Sequence, residues 1–132
     1  DWGWPSIWYV LLAFRLVGYL WKAQTRGEAL SSVELLEMLE GATEIGLVNQ
    51  LGILVEAGFV TRNENGNWLL CRDLESMSLL DLYRAGEYYL PLGETPEIPN
   101  ESEWDAVFIS AINLDGGDMQ RSLKEMYAES SS

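Results

Sequence analysis

A mainly α-helical fold carrying one small β-hairpin is predicted by three observations on this 132-residue chain. Two helical segments with capping residues lie between Ser31 and Ala57. The stretch Leu51 to Cys71, LGILVEAGFVTRNENGNWLLC, then reads as a helix end, a Gly stop, a strand, an Asn-Gly turn and a returning strand. Further apolar segments flank this unit on both sides. That order is winged helix-turn-helix-like, with extra N- and C-terminal helices.

The N-terminal segment Trp2 to Trp21 is the most apolar of the chain. Pro5 and Ser6 suit a helix start. From Ile7 onward apolar residues cover most of the helical wheel, interrupted by Arg15 and Gly18. Only about 15 residues precede Lys22, fewer than the roughly 20 needed to span a bilayer. Two readings stay open: a core helix packed on both sides or paired with its own copy, and an interfacial or juxtamembrane helix. Arg15, Lys22 and Arg26 beside the apolar body, with four Trp that resemble an interfacial belt, support the second without displacing the first.

Arg26-Gly27-Glu28 breaks the pattern. Ser31 and Glu34 have capping-box spacing and open a helix, Val33 to Leu39, with Val33, Leu35, Leu36 and Leu39 available to the core. Gly41 ends it. Thr43 starts a second helix, in which Ile45, Leu47, Val48, Leu51, Leu54 and Val55 recur at helical spacing up to Ala57. Gly58 stands where a left-handed residue terminates a helix. Phe59 to Arg62 and Trp68 to Cys71 are the hairpin strands, with Asn65-Gly66 between them. Ser78 caps a helix from Leu79 to Ala85, closed by Gly86. Residues 90 to 101 form a Pro- and Glu-rich surface loop. Ser102 and Asp105 repeat the capping-box spacing and open a helix through about Ile112. Asp115-Gly-Gly-Asp118 interrupts, and Met119 to Tyr127 makes the last helix, with Leu123, Met126 and Tyr127 on its apolar side. Three parts result: an apolar packing or juxtamembrane helix with linker (1–30), a winged-helix core (31–89), and an acidic loop with C-terminal helices packing on that core (90–132).

Composition narrows the functions. Eight basic against 21 acidic residues give a net charge of −13, which repels phosphate backbones and anionic headgroups. There is no His, so Ser-His and Cys-His catalysis and His-based zinc sites are excluded within this chain. Cys71 is the only cysteine, so no internal disulfide forms. Its place in the apolar run Trp68 to Cys71 predicts a buried structural thiol. The chain begins at Asp1 without an initiator Met or a signal peptide, and is expected to be part of something longer.

Major-groove readers present Arg, Lys, Asn or Gln on the second helix. Here the polar positions are Glu44, Asn49, Gln50 and Glu56, and no Lys or Arg lies between Arg26 and Arg62. Six Glu occupy that interval. The hairpin tip, Arg62 to Asn67, has one cation and one acid, and its Asn and Gly content is explained by turn geometry. Asp115-Gly-Gly-Asp118 lacks the alternating ligands and closing Glu of a calcium loop. No catalytic, cofactor or metal constellation is expected. The aromatic residues, without a basic groove, favour core packing or a protein interface over nucleic-acid stacking.

These features carry a likeness. The Trp-rich helix running into Ala23-Gln-Thr-Arg-Gly27-Glu-Ala-Leu30 resembles the cytoplasmic C-terminal extension of the YihY family of bacterial inner-membrane proteins. So do Ala57-Gly58-Phe59-Val60, Asn65-Gly66, Cys71-Arg72-Asp73-Leu74, Met77 to Tyr83, Leu90-Pro91 and Trp104. The family is also called BrkB-like, and many of its members carry the label ribonuclease BN. The unit from Ser31 to Gly86 is similar as well to MarR-like winged helices, which dimerise and bind DNA. The family resemblance implies a position after the last membrane span, at the cytoplasmic face of the bacterial inner membrane. The ribonuclease label would imply tRNA 3′-end processing, whose usual His-held metal water has no ligands here.

The function expected is therefore non-catalytic: protein–protein contact or self-association, with a nucleic-acid-binding regulator or ribonuclease accessory domain as the alternative. The partner is the parent transmembrane domain, another protein or a second copy, and nucleic acid is disfavoured. Interface candidates are Trp8, Leu12, Tyr19, Trp21, Glu44, Asn49 and Gln50. For Trp8, Leu12 and Tyr19 the expectation is a homodimer contact or close packing on the chain's own core.

Overall fold

A computed structural model describes residues 6–86, 102–112 and 118–130. Among the described residues six α-helices and a two-stranded sheet run in the order α1 (Ser6–Thr25), α2 (Ser32–Met38), α3 (Glu44–Glu56), β1 (Val60–Arg62), β2 (Trp68–Leu70), α4 (Leu79–Ala85), α5 (Asp105–Ile112) and α6 (Leu123–Ser130). One 3₁₀ turn, Leu74–Ser76, precedes α4. The molecule is thus mainly helical with one small antiparallel hairpin, winged-helix-like. The loop 90–101 and residues Asp115 to Gly117, read above from sequence, lie outside the described residues.

Helix α1 is the centre of the core. Val10, Leu11, Ala13, Phe14, Leu16, Val17 and Ala23 are fully buried, and Leu12 and Leu20 are 1 % exposed. A helix apolar on every side needs cover on every side. Strand β2 and helices α3 and α4 supply it from one direction, and α5 from another. Aromatic rings close the second side: Phe14 lies 5.2 Å from Phe108 and 4.8 Å from Tyr127, and Tyr19 meets Trp104 edge-on at 4.9 Å. Each such pair contributes about 0.5–1.5 kcal/mol beyond its area. The Tyr127 hydroxyl donates to the Phe14 carbonyl at 2.6 Å, and burial holds its pKa well above the ordinary tyrosine value.

Arg15, which interrupts the apolar wheel in sequence, is 1 % exposed and lies inside this packing. Its Nε and Nη2 donate to the two Asp105 carboxylate oxygens at 3.0 and 2.5 Å, a bidentate fork 90 residues apart in sequence. Asp105 also accepts from the Ser102 amide at 3.0 Å and from its hydroxyl at 2.5 Å. The expected Ser102 capping box is not formed: α5 begins at Asp105 itself, the Asp105 amide donates to the Ser102 carbonyl, and the Ser102 hydroxyl donates to the carboxylate that serves the Arg15 fork. Gly18 completes the contact: a Cβ there would sit 2.6 Å from the Trp104 ring, so only glycine admits that ring against α1.

The capping residues act as their chemistry dictates. The Ser31 hydroxyl accepts from the Glu34 amide while the Glu34 carboxylate accepts from the Ser31 amide, which holds that carboxyl below its ordinary pKa. Ser78 and Asp81 form the second box. The hairpin pairs Val60 with Leu70, Thr61 with Leu69 and Arg62 with Trp68. Its loop is longer than a two-residue Asn-Gly turn. The Asn63 amide donates to the Asn67 carbonyl, the Asn63 side chain accepts from the Asn65 and Asn67 amides, and Gly66 takes φ 80°. A three-residue loop ending in a left-handed glycine fits this pattern. Leu30 adds a short third edge through paired bonds with Trp68.

Three sequence expectations are corrected. Helix α6 starts at Leu123 and not at Met119, because Ser122 caps it through the Glu125 amide. The residues before it pair instead with the start of α4, Leu80 donating to the Met119 carbonyl at 2.7 Å. Cys71 is exposed, since the alternation of β2 turns it outward, and its thiol donates to the Gly58 carbonyl. Val33 is 68 % exposed, because only Leu35 of α2 and Leu39 just after it face fully inward.

Candidate protein-docking surface

Helix α3 occupies the recognition position of the winged-helix arrangement, following α2 and preceding the hairpin. Thr43 caps it by accepting from the Gly46 amide at 3.0 Å. Leu47, Leu51 and Leu54 form its inward face, at 1, 2 and 0 % exposure. Gln50 sits with them at 3 % exposure, one turn from both Leu47 and Leu54. This corrects its expected outward placement, since the helical period that buries those leucines carries position 50 inward.

The outward face is apolar. Ile45 is 76 %, Val48 61 % and Val55 45 % exposed. These three and Gly52 follow an i, i+3, i+7, i+10 course, a single stripe along the helix. In sequence Ile45, Leu47, Val48, Leu51, Leu54 and Val55 form one helical pattern, but they fall on two opposite faces and the core covers one. Alongside the stripe, Val48, Gly52, Ile53 and Ala57 line a shallow groove that Ala85 at the end of α4 completes. Glu44, Asn49 and Glu56 are exposed beside it.

The remaining interface candidates lie elsewhere. Trp8 and Leu12 are 6 and 1 % exposed and belong to the core, so the close-packing branch of their expectation is the one this geometry matches. Tyr19 is half-buried against Trp104, and burial raises its pKa above the ordinary tyrosine value. Trp21 is half-buried, its ring stacked on Tyr127 at 5.8 Å. None of these four is brought near the α3 stripe by the contacts described. The stripe itself is not legible in the sequence, where its residues belong to the same helical pattern as the buried leucines.

Cations are engaged within the fold. Arg15 pairs with Asp105, Lys22 with Glu103, Arg26 with Glu28, Arg121 with Glu129 and Lys124 with Glu75. Arg62 lies over the Trp68 ring at 4.4 Å and Arg72 over Phe59 at 5.2 Å. Arg84, in the last turn of α4, is the eighth cation of the chain. The one cation of the hairpin tip thus stacks on its own sheet, and α3 has none. A phosphate backbone would meet six Glu between Gly27 and Thr61.

The buried Arg15–Asp105–Ser102 cluster is the other concentration of polar groups. The cavity beside it, lined also by Tyr19, Met38 and Glu40, measures about 20 Å³. That holds roughly one water and no substrate. Among the described residues no group of three or more acidic or Cys side chains is gathered to hold a metal ion. Nor, among them, is any helix long and apolar enough to cross a membrane.

Comparison with known proteins supplies the context. No family model matches the chain. A UPF0761 membrane protein of Alkalilimnicola ehrlichii is 32 % identical over 118 residues, covering 89 % of this chain and 23 % of that protein. One from Halorhodospira halophila is 37 % identical over 84 residues, 64 % of this chain and 19 % of the relative. A third, from Stenotrophomonas maltophilia, is 38 % identical over 80 residues, 61 % of this chain and 19 % of the relative. The chain therefore spans about a fifth of the length of the curated relatives it matches. Its homologues are UPF0761 membrane proteins, the YihY/BrkB family.

Proposed function

We propose that the chain is a non-catalytic winged-helix domain of a bacterial inner-membrane protein of this family, standing at the cytoplasmic face and acting through protein–protein contact. The observation that carries the reading is the outward face of α3. Where a DNA reader presents cations and amides, this helix presents Ile45, Val48, Gly52 and Val55. Exposed apolar patches of this kind mark contact sites for other proteins. The acidic balance of the chain opposes both nucleic acid and anionic lipid. The membrane context is supported by the relatives, all of which are named as membrane proteins. The cytoplasmic side and the role of the domain are the parts this reading adds.

Self-association through α1 is disfavoured because Trp8 and Leu12 are already covered. The outward face of α3 is the larger uncovered apolar feature, so contact is assigned there. A mobility-shift titration with duplex DNA and with tRNA at low ionic strength tests the reading, since even weak phosphate binding registers there. No shift is expected with either. A shift that weakens steeply as salt is added would overturn the assignment in favour of a nucleic-acid regulator.

A further inference from the structure

We infer that the occupant of the α3 face is an amphipathic helix whose apolar ridge is flanked by Lys or Arg. The inference rests on the reading of α3 as a docking face and adds the chemistry of what docks.

The shape of the face fits a helix. Ile45, Val48, Gly52 and Val55 form a ridge on the i, i+3, i+7, i+10 course, against which a second helix packs. Gly52 marks the crossing point. A Cβ at Gly52 would meet nothing within 4 Å, so the fold itself gives no reason for glycine there. Gly46 is different: a Cβ there would lie 3.1 Å from the Thr43 hydroxyl that caps the helix. A mid-helix glycine destabilises a helix relative to alanine. Its use at position 52 is explained if another backbone approaches closely.

Charge decides which helix. Glu44 and Glu56 are exposed near the two ends of the stripe, as are Glu34 and Glu37 on α2 and Glu40 in the turn that follows it. With no cation from Gly27 to Thr61, a second copy docking through this face would set acid against acid. Nucleic acid and anionic lipid would meet the same repulsion. A ridge flanked by Lys or Arg satisfies both the apolar stripe and its acidic ends. Segments beside membrane spans on the cytoplasmic side are rich in those residues, so a membrane protein carries such helices.

The probe is a labelled synthetic helix of about 18 residues, five turns, with leucines at i, i+3, i+4, i+7 spacing and flanking lysines. A second peptide keeps the leucines and replaces the lysines by glutamates. Each is titrated by fluorescence anisotropy into the full chain and into an Ile45→Ser/Val48→Ser variant whose helicity is confirmed by circular dichroism. The lysine peptide is expected to bind, to lose affinity about tenfold in the double variant, and several-fold in Glu44→Gln/Glu56→Gln; about tenfold corresponds to 1.4 kcal/mol. The glutamate peptide is expected not to bind. Equal affinity for both peptides, or unchanged binding by the double variant, would overturn the inference. Sedimentation showing a dimer that the double variant loses would keep the docking face but replace the cationic helix by a second copy. Salt-sensitive binding of duplex DNA, or adherence to phosphatidylserine vesicles, abolished by the same variant would overturn both readings.

Discussion

Helices α1 and α3 are both rich in aliphatic residues, yet one is covered on all sides and the other on one. Helix α1 lies between the winged-helix unit and the α5–α6 segment, and even its arginine is paired inside the chain, with Asp105. Helix α3 buries Leu47, Leu51 and Leu54 and leaves Ile45, Val48 and Val55 in solvent. The same kind of sequence therefore gives a core helix in one place and a surface for another molecule in the other. Apolar content alone does not separate the two outcomes; the number of elements available to cover each helix does.

The largest effect expected from breaking the covered side is at its ion pair. Asp105→Ala leaves the Arg15 guanidinium buried without its fork, and should cost about 3–5 kcal/mol in urea unfolding. The double variant Arg15→Met/Asp105→Leu should regain most of that loss, because apolar pairs of similar volume tolerate such sites. A single variant as stable as the parent would mean that α5 does not close over α1.

Glycine makes the comparison sharpest, because one substitution should have opposite signs in the two helices. Gly18→Ala drives a methyl into the Trp104 ring and should destabilise by about 1–3 kcal/mol. Gly52→Ala meets open space, and should stabilise the chain by about 0.5–1 kcal/mol while weakening the docked helix. Thermal unfolding of the two variants beside the parent reads both signs. Equal signs would remove the distinction drawn between the helices.

Between these two in size is Tyr127→Phe, which removes the hydroxyl donated to the Phe14 carbonyl and should cost about 1 kcal/mol at neutral pH. Because burial raises the folded-state pKa of Tyr127, its contribution is complete below the ordinary tyrosine value near 10.0 and is lost as pH rises above it. The gap in stability between parent and variant should therefore shrink in alkaline solution. A gap that widens there would contradict the burial of that hydroxyl.

Local signals in the sequence were strong. The Ser31 and Ser78 caps, the stop at Gly58 and the hairpin centred on Asn65-Gly66 each depend on a few adjacent residues, and each is found in the fold. Long-range pairings were not legible. Nothing near Arg15 announces Asp105, and nothing near Phe14 announces Tyr127, 113 residues away. The two faces of α3 stood in the sequence as a single helical pattern. Which face turns inward follows from where α1 and β1 lie, and periodicity carries no such information. Gln50 shows the same limit: its polarity suggested solvent, while its spacing from Leu47 and Leu54 placed it inside.

The most direct test of the account is the accessibility of one position in two settings. A Val48→Cys thiol, in a Cys71→Ser background, is alkylated in the isolated domain and in intact cells carrying the longer membrane protein, with Thr61→Cys as the exposed reference. Rapid reaction is expected at both positions in the isolated domain. In cells carrying the proposed membrane protein, slowing of about tenfold is expected at position 48 alone, as for a face occupied nine-tenths of the time. Equal rates at the two positions in cells would contradict the claim that the second face of α3 is held by a partner.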